Sequence, residues 1–373
     1  MREPFVDSVP CLRSLLEYLS EHSFEIELIS TTDSSYRAPS FNPKVHFTDV
    51  GMKRNARDRS VGIPATVKLV FAAFEKACRE VPRVFLGAGT RGFIASGILS
   101  KMFRVPSVSF CVELPTMKTD KRQKKLLELL EKYFLKRSAM IITQDQAHSS
   151  FIAREIGVPI ERIFALPNSM RGKICNSKQR VFHDKFGLQP NMTVVLHSGG
   201  LGPWFESLEL ARAALSWPTS WCLIFHTRQR VDGEPYGNAV FQVADNAQIF
   251  FSIEPVSAQE LDGLVSSAQI GVALYSVETL GYRAELMGLA SGKIGNYLKC
   301  GLPVVATDLP TIRPYIEEYG CGICVKHAEE IKDAIATILQ DYETYRNNAF
   351  RCFKELWEPE RYLANIVSKV SKL

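Results

Sequence analysis

The 373-residue sequence contains no apolar run near the roughly 18 residues that a membrane span requires. Its opening stretch, MREPFVDSVP, has no apolar h-region, so no secretory signal is expected and a cytoplasmic location is predicted. Zinc-ligand spacing is lacking too. The one C-x-x-C, Cys321-Gly-Ile-Cys324, has no second ligand pair nearby and reads as a turn entering a strand, whereas a redox motif would open a helix after a strand. No metal site is expected. The nine cysteines are odd in number and mostly in apolar surroundings, which predicts free thiols and excludes a disulfide framework. No finger spacing, RNP motif or basic aromatic stripe is present, and nucleic acid is therefore not expected as a partner.

With 46% hydrophobic and 23% charged residues the chain can bury a core, and its length suits two domains. The net charge of +5 is unevenly spread. Residues 1–180 carry 29 Lys and Arg against 18 Asp and Glu, a net of +11; residues 181–373 carry 16 against 22, a net of −6. A basic half and an acidic half predict two domains with different partners, the basic one suited to an anionic membrane or a phosphorylated acceptor.

Apolar periodicity alternates between strand and helix in both halves, predicting an α/β protein with parallel sheets. In the first half, helical spacing of Leu12, Leu15, Leu16 and Leu19 precedes a strand at Phe24–Ile29. The polar, basic stretch 32–62 reads as a long loop. Then come a helix over 64–80, a strand at Val84–Leu86, a helix over Phe93–Phe103, a strand at Ser107–Val112, a helix over about 121–137 and a strand at Ala139–Thr143. In the second half, strands are expected at Thr193–His197, Cys222–His226, Gln248–Phe251, Ile270–Ala273, Pro303–Ala306 and Gly322–Val325, with helices between most of them. Ligands of open parallel sheets bind beyond the carboxyl ends of the strands, and two such sheets facing each other would make one cleft.

Two constellations stand at strand ends. Gly87-Ala-Gly89-Thr-Arg-Gly92 is a G-x-G-x-x-G after a strand, with Glu113 closing the next strand 21 residues on. That spacing fits a dinucleotide fingerprint and hence an NAD- or FAD-dependent oxidoreductase. It also fits a tight βα turn serving another ligand. The second runs Ser291-Gly-Lys-Ile-Gly-Asn-Tyr-Leu-Lys-Cys-Gly-Leu-Pro-Val-Val-Ala-Thr307. Ser291 is a plausible N-cap, and Lys293 falls in the first helical turn, where a cation opposes the helix dipole unless an anion sits there. A phosphate would satisfy both the lysine and the open amides.

This second stretch, followed by Ile316 and GCGICV, resembles the nucleotide-sugar-binding segment of GT-B glycosyltransferases, and most of all the retaining enzymes of family 4. Upstream, IFFSIEPVSAQELDGLVSSAQIGVAL and AMIITQDQAHSSFIAREIGVPIERIFALPNS resemble the same family's approach to the donor site and the end of its N-terminal domain. The resemblance implies two Rossmann-like, doubly wound domains facing a cleft. The expected division is an acceptor-side domain at 1–170 whose first strand is missing, a linker at 171–190, a nucleotide-sugar domain at 191–355, and a C-terminal helix at 356–373 crossing back to the first domain. It implies a metal-independent, hexosyltransferase-type enzyme without a cofactor, moving a sugar from a nucleoside diphosphate to an acceptor hydroxyl with retention, in polysaccharide, glycolipid or glycan assembly. No Asp-x-Asp, the metal-binding signature of the other main glycosyltransferase fold, occurs in the chain.

Carried over residue by residue, the donor side comprises Gly199, Gly200, Arg228, Glu254, Gly288, Ser291, Lys293 and Asn296. The family's two glutamates, eight positions apart, are Gly288 and Asn296 here. Asn296 can still bond a ribose hydroxyl, whereas Gly288 offers only its backbone. The family's Arg and Lys after the first C-domain strand are also missing, since that loop reads SGGLGPWFES. Lys293, with Arg228 or Arg230, is left to neutralise the diphosphate. These departures keep open a GT-B-like binding protein without catalysis.

On the acceptor side, Gly89 and Arg91 lie in the glycine loop, where Arg91 would hold an acceptor phosphate or join a surface ion pair. Glu113 would orient the acceptor hydroxyl or take its proton, or stand as a solvated strand-end acid. His148 and His197 follow apolar strands and read as structural. The basic run Lys118, Lys121, Arg122, Lys124 and Lys125 precedes Leu126, Leu127, Leu129, Leu130 and Phe134. It reads either as a helix packing Leu126, Leu130 and Phe134 on the sheet or as a peripheral contact with anionic lipid that brings the enzyme to a lipid-linked acceptor.

Overall fold

Strands and helices alternate along the chain in the computed structural model, which describes residues 9–30, 40–50, 63–112, 114, 122–227, 235–245 and 247–373. They divide into two units, one reaching Asn168 and resuming at Pro359–Leu373, the other running from Ser169 to Glu358. The segment 171–190 thus belongs to the second unit.

In the first unit, β1 (Ile26–Ser30) and β2 (Val45–Asp49) form a parallel pair with Ile26 opposite Val45. β2 lies inside the stretch expected to be a loop. Its five residues, VHFTD, are too few and too polar to stand out in the sequence, and they become a strand through pairing with β1. A second sheet takes β3 (Phe85–Ala88), β4 (Ser107–Phe110), β5 (Met140–Thr143) and β6 (Ile163–Ala165) in chain order, all parallel. β4 and β5 are buried along their whole length, as expected of parallel strands covered on both faces.

The helix after β3 begins at Gly89, four residues earlier than the periodicity indicated, so most of the glycine motif is helical. A Cβ at Gly87 would lie 2.1 Å from the Gly92 carbonyl oxygen. This pair of glycines lets the first helical turn rest backbone to backbone on the strand end.

The helix Arg122–Arg137 buries Phe134, but Leu126 is 53% and Leu129 60% exposed, so Leu126 does not pack on the sheet as one reading of the sequence required. The final helix, Glu360–Val370, belongs to this unit. Its Leu363, Ile366, Val367 and Val370 share one core with Leu12, Leu15, Leu16 and Leu19 of the helix Pro10–Glu21 and with Val108, Phe110, Met140 and Ile142. Residues three and four apart on each helix form the apolar stripe that builds this core.

The second unit holds β7 (Thr193–Ser198), β8 (Trp221–Thr227), β9 (Ile249–Ile253), β10 (Ile270–Ala273), β11 (Val304–Thr307) and β12 (Gly322–Val325), parallel in the order β12-β11-β10-β7-β8-β9. Alternation places Val194, Leu196 and Ile224 in the core on one face and Val195, Leu223 and Phe225 in the core on the other. The sheet is doubly wound, and its order reverses between β7 and β10, where crossovers leave toward opposite faces and open a crevice at the carboxyl ends. Among the described residues, no helix is long and apolar enough to cross a membrane.

Candidate functional site

The loop after β7 and the loop after β10 both open at this reversal, and the helix Gly292–Lys299 starts beside them. Ser291 caps that helix, its hydroxyl accepting the Ile294 amide at 3.3 Å. Tyr275, just beyond β10, bonds the same hydroxyl through its own, and its amide donates to Thr307 Oγ1 at 2.8 Å, tying the ends of β10 and β11. From within the helix, Tyr297 accepts the Ser198 amide at 2.8 Å and donates to the Val272 carbonyl at 3.3 Å. The helix start is therefore clamped to three strand ends.

Lys293 points its ammonium inward. Nζ is buried with no hydrogen-bond partner among the described residues and lies 3.4 Å from the centroid of Phe205 and 5.4 Å from that of Tyr275. Burial drives its pKa well below the usual lysine value. Gly199 makes room for it: a Cβ there would stand 2.7 Å from Lys293 Cε, and its φ of 149° disfavours any other residue. One turn further, Asn296 presents a buried Oδ1 that also lacks a partner among the described residues. A buried cation and a buried carbonyl left unsatisfied on one helix face, three residues apart, are costly unless a ligand completes them.

The remaining donor-side candidates divide. The Gly199 amide donates to the His226 carbonyl at 2.9 Å and the Gly288 amide to Thr311 Oγ1 at 3.0 Å, so neither N–H is open to a ligand as the sequence reading supposed. Gly200 donates its amide to no described residue, and its carbonyl accepts from His197 Nε2 at 3.3 Å. His197 itself is sealed between Phe205 and Phe225, and burial beside Lys293 pushes its pKa well down, so at neutral pH it is an uncharged structural ring. Glu254, after β9, is exposed and pairs with Lys185, which keeps its carboxyl below the usual range. Arg228, like Arg230, lies outside the described residues.

In the first unit, Gly89 opens its helix with φ 65°, and burial lowers the pKa of the half-buried Arg91 to about 10. Next to Arg91, Thr90 donates to the buried Glu131 at 2.9 Å. His148 is structural: its ring and its amide both bond Asp145, the cap of its own helix. Glu113 lies outside the described residues, as do Lys118 and Lys121.

Phe205 and Tyr275, which enclose the lysine, were not singled out from the sequence. They sit on separate loops 70 residues apart, and only the sheet order brings them together.

Residues 256–369 match the family described as Glucosyltransferase 3-like, C-terminal domain. No curated protein sequence matches the chain. Among solved structures, it is similar to Anabaena HepE in complex with UDP and glucose, with a TM-score of 0.74 and 14% identity over 100% of this chain and 98% of that one. Sucrose-phosphate synthase of Thermosynechococcus elongatus gives 0.71 and 16% identity over 97% and 92%. WaaG, a glycosyltransferase involved in lipopolysaccharide biosynthesis, gives 0.65 and 11% over 99% and 97%. The fold is GT-B, with Rossmann-like parallel-sheet units.

Proposed function

We propose that this chain is a glycosyltransferase that moves a hexosyl group from a nucleoside diphosphate sugar to an acceptor hydroxyl, with retention as in the family 4 enzymes it resembles. The observation that carries this reading is the pair of unsatisfied buried atoms, Lys293 Nζ and Asn296 Oδ1, at a helix start beside the sheet reversal. A diphosphate there would bond Lys293, the open amides of Gly292 and Lys293, and the Gly200 amide. As the bond to the sugar breaks, negative charge grows on the departing phosphate, and these fixed donors offset it without reorganising. Asn296 would hold a ribose hydroxyl. The charge role is assigned to Lys293, in keeping with the metal-independent family the chain resembles. Arg91 and Gly89, with Glu113, would serve the acceptor, for which a lipid-linked molecule suits the basic first half.

The oxidoreductase alternative loses its support, because contact between Gly87 and Gly92 accounts for the glycine motif without a cofactor. Thermal shift and calorimetry with UDP, GDP and NAD test the reading. Stabilisation by UDP or GDP and none by NAD is expected; the reverse pattern would overturn it. A chain that binds UDP or GDP yet releases neither from any of their sugars would be a GT-B binding protein.

A further inference from the structure

Cys175 and Cys300 are 125 positions apart in sequence and adjacent in the second unit. The extended segment 171–178 crosses the end of the helix Gly292–Lys299, and the Cys175 amide donates to the Lys299 carbonyl at 3.0 Å. That bond lays Cys175 alongside Cys300, the residue after Lys299, and each thiol shifts the pKa of the other; the Cys175 thiol donates to the Ser177 carbonyl at 3.8 Å. Cys300 ends the helix and is buried, its sulfur 3.5 Å from the Asp262 carbonyl. Cys175 is half-buried between Lys173 and Asn176, the former exposed and the latter at the chain surface, so a small reagent can reach it.

We propose that Cys175 and Cys300 form a reversible thiol–disulfide site, with Cys175 as the attacking sulfur and a low-molecular-weight disulfide such as oxidised glutathione as the oxidant.

The groups around the pair favour attack from Cys175. Cys175 is half-buried and within reach of a small reagent, whereas Cys300 is 1% exposed, with its S–H donating to the Asp262 carbonyl. Lys178 and Lys299 supply positive charge close by, while Asp262 opposes them and is itself paired with Lys299 at 2.7 Å. The proximity of the two thiols lowers the Cys175 pKa and raises that of Cys300. A reachable thiol of lowered pKa beside a buried, protonated partner is the arrangement of an attacking and a resolving thiol. A second adjacent pair, Cys321 and Cys352, serves as contrast. Both residues are fully buried, and the neighbouring Cys321 together with burial raises the Cys352 thiol.

In the first step the Cys175 thiolate attacks one sulfur of the small disulfide, forming a mixed disulfide and releasing one thiolate, which takes up a proton. Cys300 then gives up its proton to solvent and attacks the Cys175 sulfur, releasing the second thiolate, which is protonated in turn. Two protein thiols lose two electrons, and one small disulfide becomes two thiols.

The test uses the full chain treated with oxidised glutathione, quenched in acid, alkylated and peptide-mapped without reduction. The expected product is a single 175–300 link that dithiothreitol removes, with Cys321 and Cys352 alkylated only after denaturation. Cys300→Ser should accumulate glutathione on Cys175, since the resolving step is gone. Cys175→Ser should leave Cys300 unmodified. In the native chain the rate at which the free Cys175 thiol disappears should fall about tenfold per pH unit below pH 6 and be level above pH 7. A stable mixed disulfide on Cys175 in the native chain, equal modification of Cys300 in Cys175→Ser, or a rate still climbing between pH 8 and 9 would each overturn the proposal. It stands independently of the sugar-transfer reading.

Discussion

Replacing Lys293 by methionine separates a ligand-binding lysine from a structural one. In the free protein the ammonium has the Phe205 ring at 3.4 Å and no hydrogen bond among the described residues. The variant forfeits the cation–π attraction, about 2 kcal/mol for a desolvated pair. Against that, it no longer holds a buried charge whose desolvation costs several kcal/mol, and its thioether can pack on the same rings. Unfolding free energy in urea should therefore hold or rise. Nucleotide binding should move the other way. Losing a charge-assisted bond to the diphosphate costs about 1.5–3 kcal/mol, which is roughly a 10- to 150-fold weaker Kd at 25 °C. Titration calorimetry with UDP and with GDP, at one ionic strength, reads both. Unchanged affinity for both nucleotides in a folded Lys293→Met protein refutes the role. A fall in stability matching the fall in affinity makes the lysine structural.

Burial depresses the Lys293 pKa in the free protein and a bound diphosphate raises it again, so at a pH between the free-state and bound-state values binding takes up a proton from solvent. Affinity is then full below the free-state pKa and declines as pH rises toward the bound-state value, and binding heats should differ between buffers of high and low ionisation enthalpy; equal heats would exclude proton uptake. Gly199→Ala forces a side chain onto φ 149° against Lys293 Cε, so it should cost about 1–3 kcal/mol in urea unfolding and weaken UDP binding as well. Ser291→Ala removes a cap and the hydroxyl partner of Tyr275, with an expected loss of about 1 kcal/mol in the same assay. If the basic stretch 118–125 meets anionic lipid, at about 1 kcal/mol per basic residue, the chain pellets with anionic but not neutral vesicles and is released by salt; staying in the supernatant at low salt excludes the contact.

Most of the strands followed from the sequence because parallel strands such as MIIT and VVAT are continuous apolar runs between helical periods. β2 escaped because VHFTD has neither a continuous apolar run nor room to show a period, and only its partner defines it. The site was half legible. Lys293 and Ser291 could be found because a cation in a first helical turn beside a capping serine is a local contradiction that an anion resolves. The availability of Gly199 and Gly288 could not, since whether an amide is open depends on His226 and Thr311, which are remote in sequence. The aromatic enclosure by Phe205 and Tyr275 was hidden for the same reason.

Residues 359–373 complete the core of the unit that the segment up to Asn168 begins. On the ribosome, the segment up to Asn168 emerges before the second unit yet lacks Leu363, Ile366, Val367 and Val370 until the whole of that second unit has been made. The second unit, whose sequence is uninterrupted, has its whole core available earlier. The expected order of maturation is therefore the reverse of the usual amino-to-carboxyl one. Chains truncated after Glu358 and released from the ribosome should show Ser169–Glu358 resistant to protease while the earlier segment is still cut, and resistance of both in that truncated chain would contradict this order.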